Sequence, residues 1–390
     1  MSDIADRLAH AEGVAPRGAA AAATALPLET RLVSGAEWDR IVAGFDQVCQ
    51  EQLYAFALTR WRTVQQEPVV FLSGGEIVGG SLVMIQPLPL RLGHIAVSKW
   101  GPMLKDASHP QAAAIHAGMV ASLIAEYADK RGFMLSVLPR ASIEAVNADY
   151  EQLIARGFRR GSRLMFPNRY IVDLRLSDAE QRKSFHQTWR RQLNKSEKAD
   201  LSFEHVGPER IGEFEKLYTA MTDRKQFPDH SAFETVPELM SIGVPQLRPE
   251  LFFVRKAGEI VAGALIFKAG DRAVYLYGAT NDQALPLRAG YFLHWQVIRW
   301  LRDNTQARWY DLGGTDGYQG LHQFKKGMVG QAGVIRPVPP VTNYASRPLA
   351  YILGNGAFAA RDLMHQVRRI VGGWLNPKAR PTQAPHGSEP

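Results

Sequence analysis

The chain has 390 residues, a net charge of +8 and a pI near 9.5. That length bounds it to one large domain or two ordinary ones, and the basic balance favours anionic partners without choosing between nucleic acid, phosphates and an anionic membrane surface. Cys49 is the only cysteine, which excludes an intrachain disulfide and a cysteine-based metal site and fits a reducing compartment.

Asp3, Asp6 and Glu12 stand where a signal peptide would be basic, and no stretch reaches the ~18 apolar residues of a membrane span. The expectation is a soluble cytoplasmic protein, with peripheral contact at the inner membrane surface left open. Residues 1–27 are rich in Ala, Gly and Pro and read as a flexible leader, with order beginning near Glu29. Helical spacing follows over 36–48 (Trp38, Ile41, Val42, Phe45, Val48), with another helix at 53–61. A hairpin is expected from 69–72, the turn Ser73-Gly74-Gly75 and 77–85. A strand at 93–97, a helix at 112–130, a strand at 133–137 and a helix at 143–156 come next, and a strand at 170–174 closes this half.

The second half repeats the order. A helix at 178–198, a strand at 201–205 and a helix at 208–224 precede a hairpin over 251–267, turning at Lys256-Ala257-Gly258. A strand at 273–277, a helix at 290–303 and a strand at 309–312 complete it. Helix, hairpin, strand, helix, strand occurs twice, so the chain reads as two related α/β units. Residues 345–375 carry an amphipathic helical pattern (Leu349, Ile352, Leu353, Leu363, Met364, Val367, Ile370, Val371), interrupted by Gly354 and Gly356 and charged by Arg361, Arg368 and Arg369. It reads either as a helix packed on the domain or as a surface helix on anionic lipid. Residues 376–390 read as a disordered tail.

Two stretches carry chemistry. In 181–198, Phe185, Trp189 and Leu193 share one helical face, while Lys183, Arg190, Arg191, Lys195 and Lys198 lie mostly on the other. Glu197 is the one carboxylate among them, so this is either a solvated basic face or a polyanion-binding one. In 308–328, the strand stops at Gly313-Gly314, and Phe324, Lys325 and Lys326 arrive after a loop. Glycines at a strand end let backbone approach a ligand closely, and an aromatic beside a cation suits an anionic or acyl-carrying substrate. The plain alternative is a strand, a tight turn and an exposed basic helix.

These segments resemble the FemABX family of tandem-GNAT aminoacyltransferases. The resemblance rests on RYIVDL (169–174), WRRQLNKSEK (189–198), TDRKQF (222–227), VAGALIF (261–267), YLYGATN (275–281), YDLGG (310–314) and GLHQFKKGM (320–328), with VVFLSGGEIVGG (69–80) and WGP (100–102) in the first half. It spans roughly residues 30 to 335, and GNAT-like proteins of exopolysaccharide and cellulose clusters share many of these motifs. It implies an α/β fold of two tandem GNAT-like (acyl-CoA N-acyltransferase-like) units, 28–174 and 175–340, with mixed sheets flanked by helices, followed by the helical segment 341–375.

The resemblance further implies an aminoacyltransferase that moves an amino acid from aminoacyl-tRNA to the peptide amine of a peptidoglycan precursor, UDP-linked or lipid-linked. The ester donor is already activated, so no cofactor and no metal are needed; the alternative is an acyl-CoA-dependent GNAT-type N-acyltransferase acting on a cell-surface polysaccharide or lipid precursor, with Arg288 and Gly290 as a partial phosphate-binding helix start. By the same resemblance, Lys325 stabilises the oxyanion with Phe324 beside it, Arg224 contacts precursor phosphates, and Tyr275 and Tyr277 line the acceptor cleft. Arg60, next to Trp61 in reverse of the family's order, stands for the first unit's phosphate contact. Lys183, Arg190, Arg191, Lys195 and Lys198 would face the tRNA. Asp311 reads as a structural carboxylate at a strand end, and Cys49 as a buried thiol rather than a nucleophile.

Overall fold

A computed structural model describes residues 23–225 and 232–375. The leader up to residue 22, the tail from 376 and the end of the TDRKQF motif lie outside the described residues. The strands are β1 (Glu29–Leu32), β2 (Gln65–Ser73), β3 (Glu76–Pro87), β4 (His94–Lys99), β5 (Met103–Leu104), β6 (Met134–Leu138), β7 (Arg159–Arg160), β8 (Asn168–Asp173), β9 (Ser202–Val206), β10 (Glu250–Lys256), β11 (Glu259–Phe267), β12 (Arg272–Thr280), β13 (Trp309–Asp311), β14 (Val334–Pro337) and β15 (Thr342–Tyr344). The helices are α1 (Gly35–Val42), α2 (Tyr54–Arg60), α3 (Ala112–Leu123), α4 (Ala148–Ala155), α5 (Asp178–Ser184), α6 (Gln187–Ser196), α7 (Ile211–Lys225), α8 (Val236–Ser241), α9 (Ala284–Leu287), α10 (Ala289–Asn304), α11 (Gln319–Val329) and α12 (Pro348–Leu375).

They form two mixed sheets flanked by helices. One runs β1-β2-β3-β4-β6-β15-β7, with β5 against β3; the other runs β14-β8-β13-β12-β11-β10-β9. Each contains an antiparallel hairpin whose turn residues both take positive φ, Gly74-Gly75 in the first and Ala257-Gly258 in the second. That geometry matches the twist of the flanking strands. After each hairpin comes one more antiparallel strand, a helical crossover, and a parallel partner: β4 with β6, and β12 with β13.

Several expectations shift. The strand around 170–174 does not close the first sheet. As β8 it sits between β13 and β14 of the second, and β15 returns from beyond the second unit to pair with β6 and β7. The helix expected over 178–198 breaks into α5 and α6, because Phe185 and His186 turn extended (ψ 148 and 146). The break lets Phe185 stay buried together with Trp189 and Leu193. The helix expected from 143 begins only at Ala148, capped by Asn147. Order starts before Glu29: Leu26 N–H bonds Ala114 O, and Leu26 and Leu28 pack on the first unit's core. Gly354 and Gly356 do not interrupt α12; a side chain at Gly354 would meet Met134 within 2.4 Å, so the glycine permits close seating of the helix.

The two units share a core. Trp38, Val42, Phe45 and Phe56 of the first pack with Leu239, Phe267 and Val274 of the second, and each large apolar side chain so buried contributes about 2 kcal/mol. At this seam Asp271 N–H donates to Asp46 O at 2.7 Å. Gly270 (φ +76) lies so close that a Cβ would come within 2.5 Å of that oxygen, so only glycine fits.

Candidate active site

β12 and β13 pair over only three residues, from Arg272↔Trp309 to Val274↔Asp311. Beyond that, β12 runs on to Thr280 while the other chain turns away at Gly313 (φ +77). A wedge opens between them. In the first unit β4 and β6 pair over five residues, to Lys99↔Leu138, and Trp100 N–H adds a bond to Leu138 O. That wedge is zipped shut. The open strand end therefore belongs to the second unit.

A bulge shapes the open wedge. Leu265 faces Tyr277 and Ile266 faces Tyr275, so Leu276 is the extra residue on β12. The bulge sends the two tyrosines to different faces. Tyr275 packs on His294 of α10, with ring centroids 4.8 Å apart. Tyr277 packs on Phe233 and Tyr218, at 5.2 and 6.1 Å, on the α7 side. The expectation that both line one cleft is corrected by this geometry. Tyr275's hydroxyl occupies the place of a Cβ at Gly278, within 1.6 Å, so residue 278 must be glycine for the ring to lie there.

Lys325 closes the base of the wedge. It lies on the inner face of α11 with Met328 and Val329 and is 6% exposed. Its Nζ donates to Leu312 O and Gly314 O, each at 2.5 Å, and stands 5.9 Å from the Tyr275 ring centroid. Burial, with the neighbouring Arg169 charge, pulls its pKa down from 10.5 to about 8, and Asp311 and Asp316 oppose the shift. It is not the exposed cation of a basic helix; Lys326 is.

Phe324 packs against Tyr291 (4.9 Å), His294 (5.6 Å) and Trp189 (6.2 Å). A Cβ on Gly290 would lie 3.9 Å from its ring. The first turn of α10 thus opens beside Phe324. Its N-cap Arg288 has φ 59 and no side-chain cap bond, which leaves backbone N–H groups and a guanidinium suited to phosphate. His294 is neutral: burial and the charge of Lys325 push it down to about 3, and Nδ1 pairs with the Tyr310 hydroxyl at 3.1 Å.

Asp311 sits below the same loop. It is 4% exposed, takes Arg169 Nε on both oxygens at 3.1 Å and accepts Gly313 N–H at 2.9 Å. Although burial acts to raise its pKa, Arg169 and Arg272 together hold the carboxyl below the usual 3.8. Arg272 is itself buried, pushed down to about 10 by desolvation, and donates to Ala141 O of the first unit at 2.8 Å. This is the structural carboxylate expected at the strand end. A Cβ on Gly313 would lie 3.8 Å from Lys325 Nζ and 4.0 Å from Arg169 Nη1, so two cations flank that glycine.

Arg169 also lies over the Trp100 ring of the first unit at 5.5 Å. Both line a cavity of about 320 Å³ between the units, with Phe166, Pro167, Gly314 and Val338 among its walls. Arg169, Trp100 and His294 were not among the expected site residues. Arg169 and Trp100 stood inside the RYIVDL and WGP motifs, and that placement was the available signal.

The remaining expected residues lie elsewhere. Arg60 is exposed and pairs with Glu234 at 2.5 Å, tying α2 to the second unit. Arg224 pairs with Asp282 at 2.6 Å and donates to Thr280 O at 3.1 Å, at the far end of β12. Lys183, Arg191, Lys195 and Lys198 are exposed along α5, α6 and the residues just after. Arg190 is spent on its own chain, donating to Lys183 O and Phe185 O across the helix break. Cys49 is buried, which pushes its thiol up and leaves it unsuited to attack.

Residues 183–326 match the family described as acetyltransferase (GNAT) domain. The solved structure of FemX is similar over 84% of this chain and 100% of its own, with 17% identity and a TM-score of 0.67. The chain has the FemX-type tandem GNAT fold. The family match falls within its second unit, and the strands that form the open wedge lie within the matched residues. The L-PGS structure from Bacillus licheniformis is similar over 82% of this chain and 95% of its own (15% identity, TM-score 0.50). A domain from Agrobacterium fabrum, described as that of a lysylphosphatidylglycerol synthetase, is similar over 83% and 96% (14% identity, TM-score 0.50). No curated protein matches the chain in sequence. Among the described residues of this FemX-type fold, no helix is long and apolar enough to cross a membrane, and no group of His, Cys, Asp or Glu could hold a metal ion.

Proposed function

We propose that the chain transfers an aminoacyl group from aminoacyl-tRNA to the amine of a peptidoglycan precursor. The observation that carries this reading is the single open wedge, with Lys325 at its base and the uncapped start of α10 at its side, in a fold that matches FemX over that protein's whole length. The acceptor amine, unprotonated, attacks the ester carbonyl carbon. A C–N bond forms, the bond to the ribose oxygen breaks, the nitrogen loses a proton and the ribose oxygen gains one. The ester is activated before it arrives, so the site needs only to align the partners and stabilise the oxyanion.

An ammonium has three N–H groups. Lys325 commits two of them to Leu312 O and Gly314 O, and the third is the donor assigned to the oxyanion. Phosphates of the tRNA end would sit at the α10 N-terminus with Arg288. The exposed cations Lys183, Arg191, Lys195 and Lys198 would follow the tRNA backbone. The cavity walled by Trp100 and Arg169 would hold an anionic part of the acceptor. Cytoplasmic location follows from these substrates.

A second reading, acyl-CoA as donor, is favoured by the description of the matched family as acetyltransferases and by the same helix start. The test is donor choice. Full-length protein receives either labelled aminoacyl-tRNA or labelled acetyl-CoA, with UDP-linked muramyl pentapeptide as acceptor. Label passing from tRNA to the pentapeptide is the expected result. Label passing only from CoA overturns it in favour of the second reading. Transfer from tRNA only to phosphatidylglycerol would keep the donor and refute the acceptor.

A further inference from the structure

Among the described residues, α12 has one face packed on the protein and one face exposed. Tyr351, Leu353, Ala357 and Phe358 pack with Leu88, Ile95 and Met134 of the first unit. Elsewhere on the helix, Leu349 and Ile352 are each 65% exposed, Leu363 60% and Met364 55%. At 3.6 residues per turn these four fall on one side of the helix, and the sequence continues the spacing with Val367, Ile370, Val371 and Trp374.

A second exposed apolar element neighbours the same helix. The loop between β3 and β4 buries Leu88 in the same cluster as the inner face of α12, while Leu90 and Leu92 are 89% and 52% exposed. Leu90 and Arg91 both take positive φ (55 and 57), a conformation unfavourable for residues other than glycine. The loop therefore carries two bare leucines on a strained tip. Single exposed leucines need no explanation; four large apolar side chains on one side of a helix, with two more on a neighbouring loop tip, do.

The charges near the patch select its occupant. Arg91 stands between the loop leucines, and Arg347 and Arg361 flank and punctuate α12. The helix sequence adds Arg368 and Arg369 against Asp362 as its one acidic residue. This basic composition would repel a second copy of the chain, whose net charge is +8. It attracts an anionic bilayer, whose headgroups pair with the arginines while the leucines enter the acyl boundary. We infer that α12 and the β3–β4 loop together dock the protein on an anionic membrane surface. The inference stands apart from the transfer reaction and would hold with either donor.

The test uses full-length protein and extruded vesicles of phosphatidylcholine, with or without phosphatidylglycerol, in a co-sedimentation titration. Wild type is expected to pellet with phosphatidylglycerol vesicles and much less with phosphatidylcholine alone. The exposed-site variant L90D/I352D is expected to bind at least about tenfold more weakly with an unchanged melting temperature. R361E is expected to lose several-fold on the anionic vesicles only. Wild type remaining in the supernatant with anionic vesicles overturns the inference, as does wild-type binding by L90D/I352D. A concentration-dependent dimer that L90D/I352D abolishes, seen by light scattering without any vesicle binding, would assign the patch to a second copy instead.

Discussion

Replacing Lys325 by methionine separates its chemical role from its structural one. The substitution keeps the volume and removes the ammonium. Holding a lysine at a pKa of about 8 rather than 10.5 costs the fold on the order of 3 kcal/mol while the group is charged. The variant escapes that cost. It also leaves Leu312 O and Gly314 O without their donor, at about 1–3 kcal/mol each. The two effects oppose each other and overlap in size, so net stability should change by no more than about 3 kcal/mol. Turnover should fall about a hundredfold or more if the ammonium stabilises the oxyanion.

The pH dependence gives a further handle on the same variant. Because the folded pKa lies below the unfolded one, the unfolded chain binds the extra proton between about pH 8 and 10.5, and stability rises with pH across that window. The methionine variant lacks this rise. Denaturant unfolding at pH 7.5 and pH 10, with single-turnover transfer rates, reads both effects. Normal turnover with Lys325→Met refutes the assigned role. A collapsed fold in that variant refutes the energetic balance.

Other expectations follow from the same geometry. The transfer rate of wild type should decline as pH rises through about 8, where Lys325 loses its charge, and a profile flat to pH 10 would contradict a cationic donor. Asp311→Asn leaves Arg169 and Arg272 without their shared carboxylate and should cost about 3–5 kcal/mol, read as a lowered melting temperature. Wild type should also lose stability as pH falls below 3.8 through the lower folded pKa of Asp311, a loss the asparagine variant lacks in part. R191E/K195E should weaken tRNA binding and flatten its salt dependence with no change in melting temperature, as filter binding at several salt concentrations would show. Gly330→Ala, at φ +63 with Ser184 O 2.2 Å from the new Cβ, should destabilise by more than about 2 kcal/mol in the same unfolding assay.

Much of the fold was legible because its signals are local. Both hairpins announced themselves through glycine-containing turns between apolar strands, and the order of elements repeated. The strand exchange was not legible. β8, β14 and β15 are ordinary short strands, and nothing local says that β8 joins the second sheet while β15 returns to the first. The break between α5 and α6 hid inside continuous helical spacing. Arg190, read as a free cation, is consumed in bridging that break.

The site was legible in its position and not in its roles. Gly313-Gly314, Phe324 and Lys325 do meet at the open wedge. Lys325 reads as a surface cation by type, yet it follows Leu321 by four residues and precedes Met328 by three, which places it on the apolar face of α11. That spacing was the missed clue. The split of Tyr275 from Tyr277 depends on one extra residue, Leu276, and a bulge of one residue leaves no mark in an alternating pattern. Arg60 and Arg224 look free in sequence because their partners, Glu234 and Asp282, lie 174 and 58 positions away along the chain.

In the proposed reaction the second unit's wedge, and not its zipped counterpart, receives the acyl donor. Hydrogen exchange of the full chain with and without a stable amide analogue of aminoacyl-adenosine tests it most directly. Slowed exchange confined to residues 275–291 and 312–325 is the predicted result. Protection at 94–100 and 134–138, or at neither wedge under saturating analogue, would contradict it.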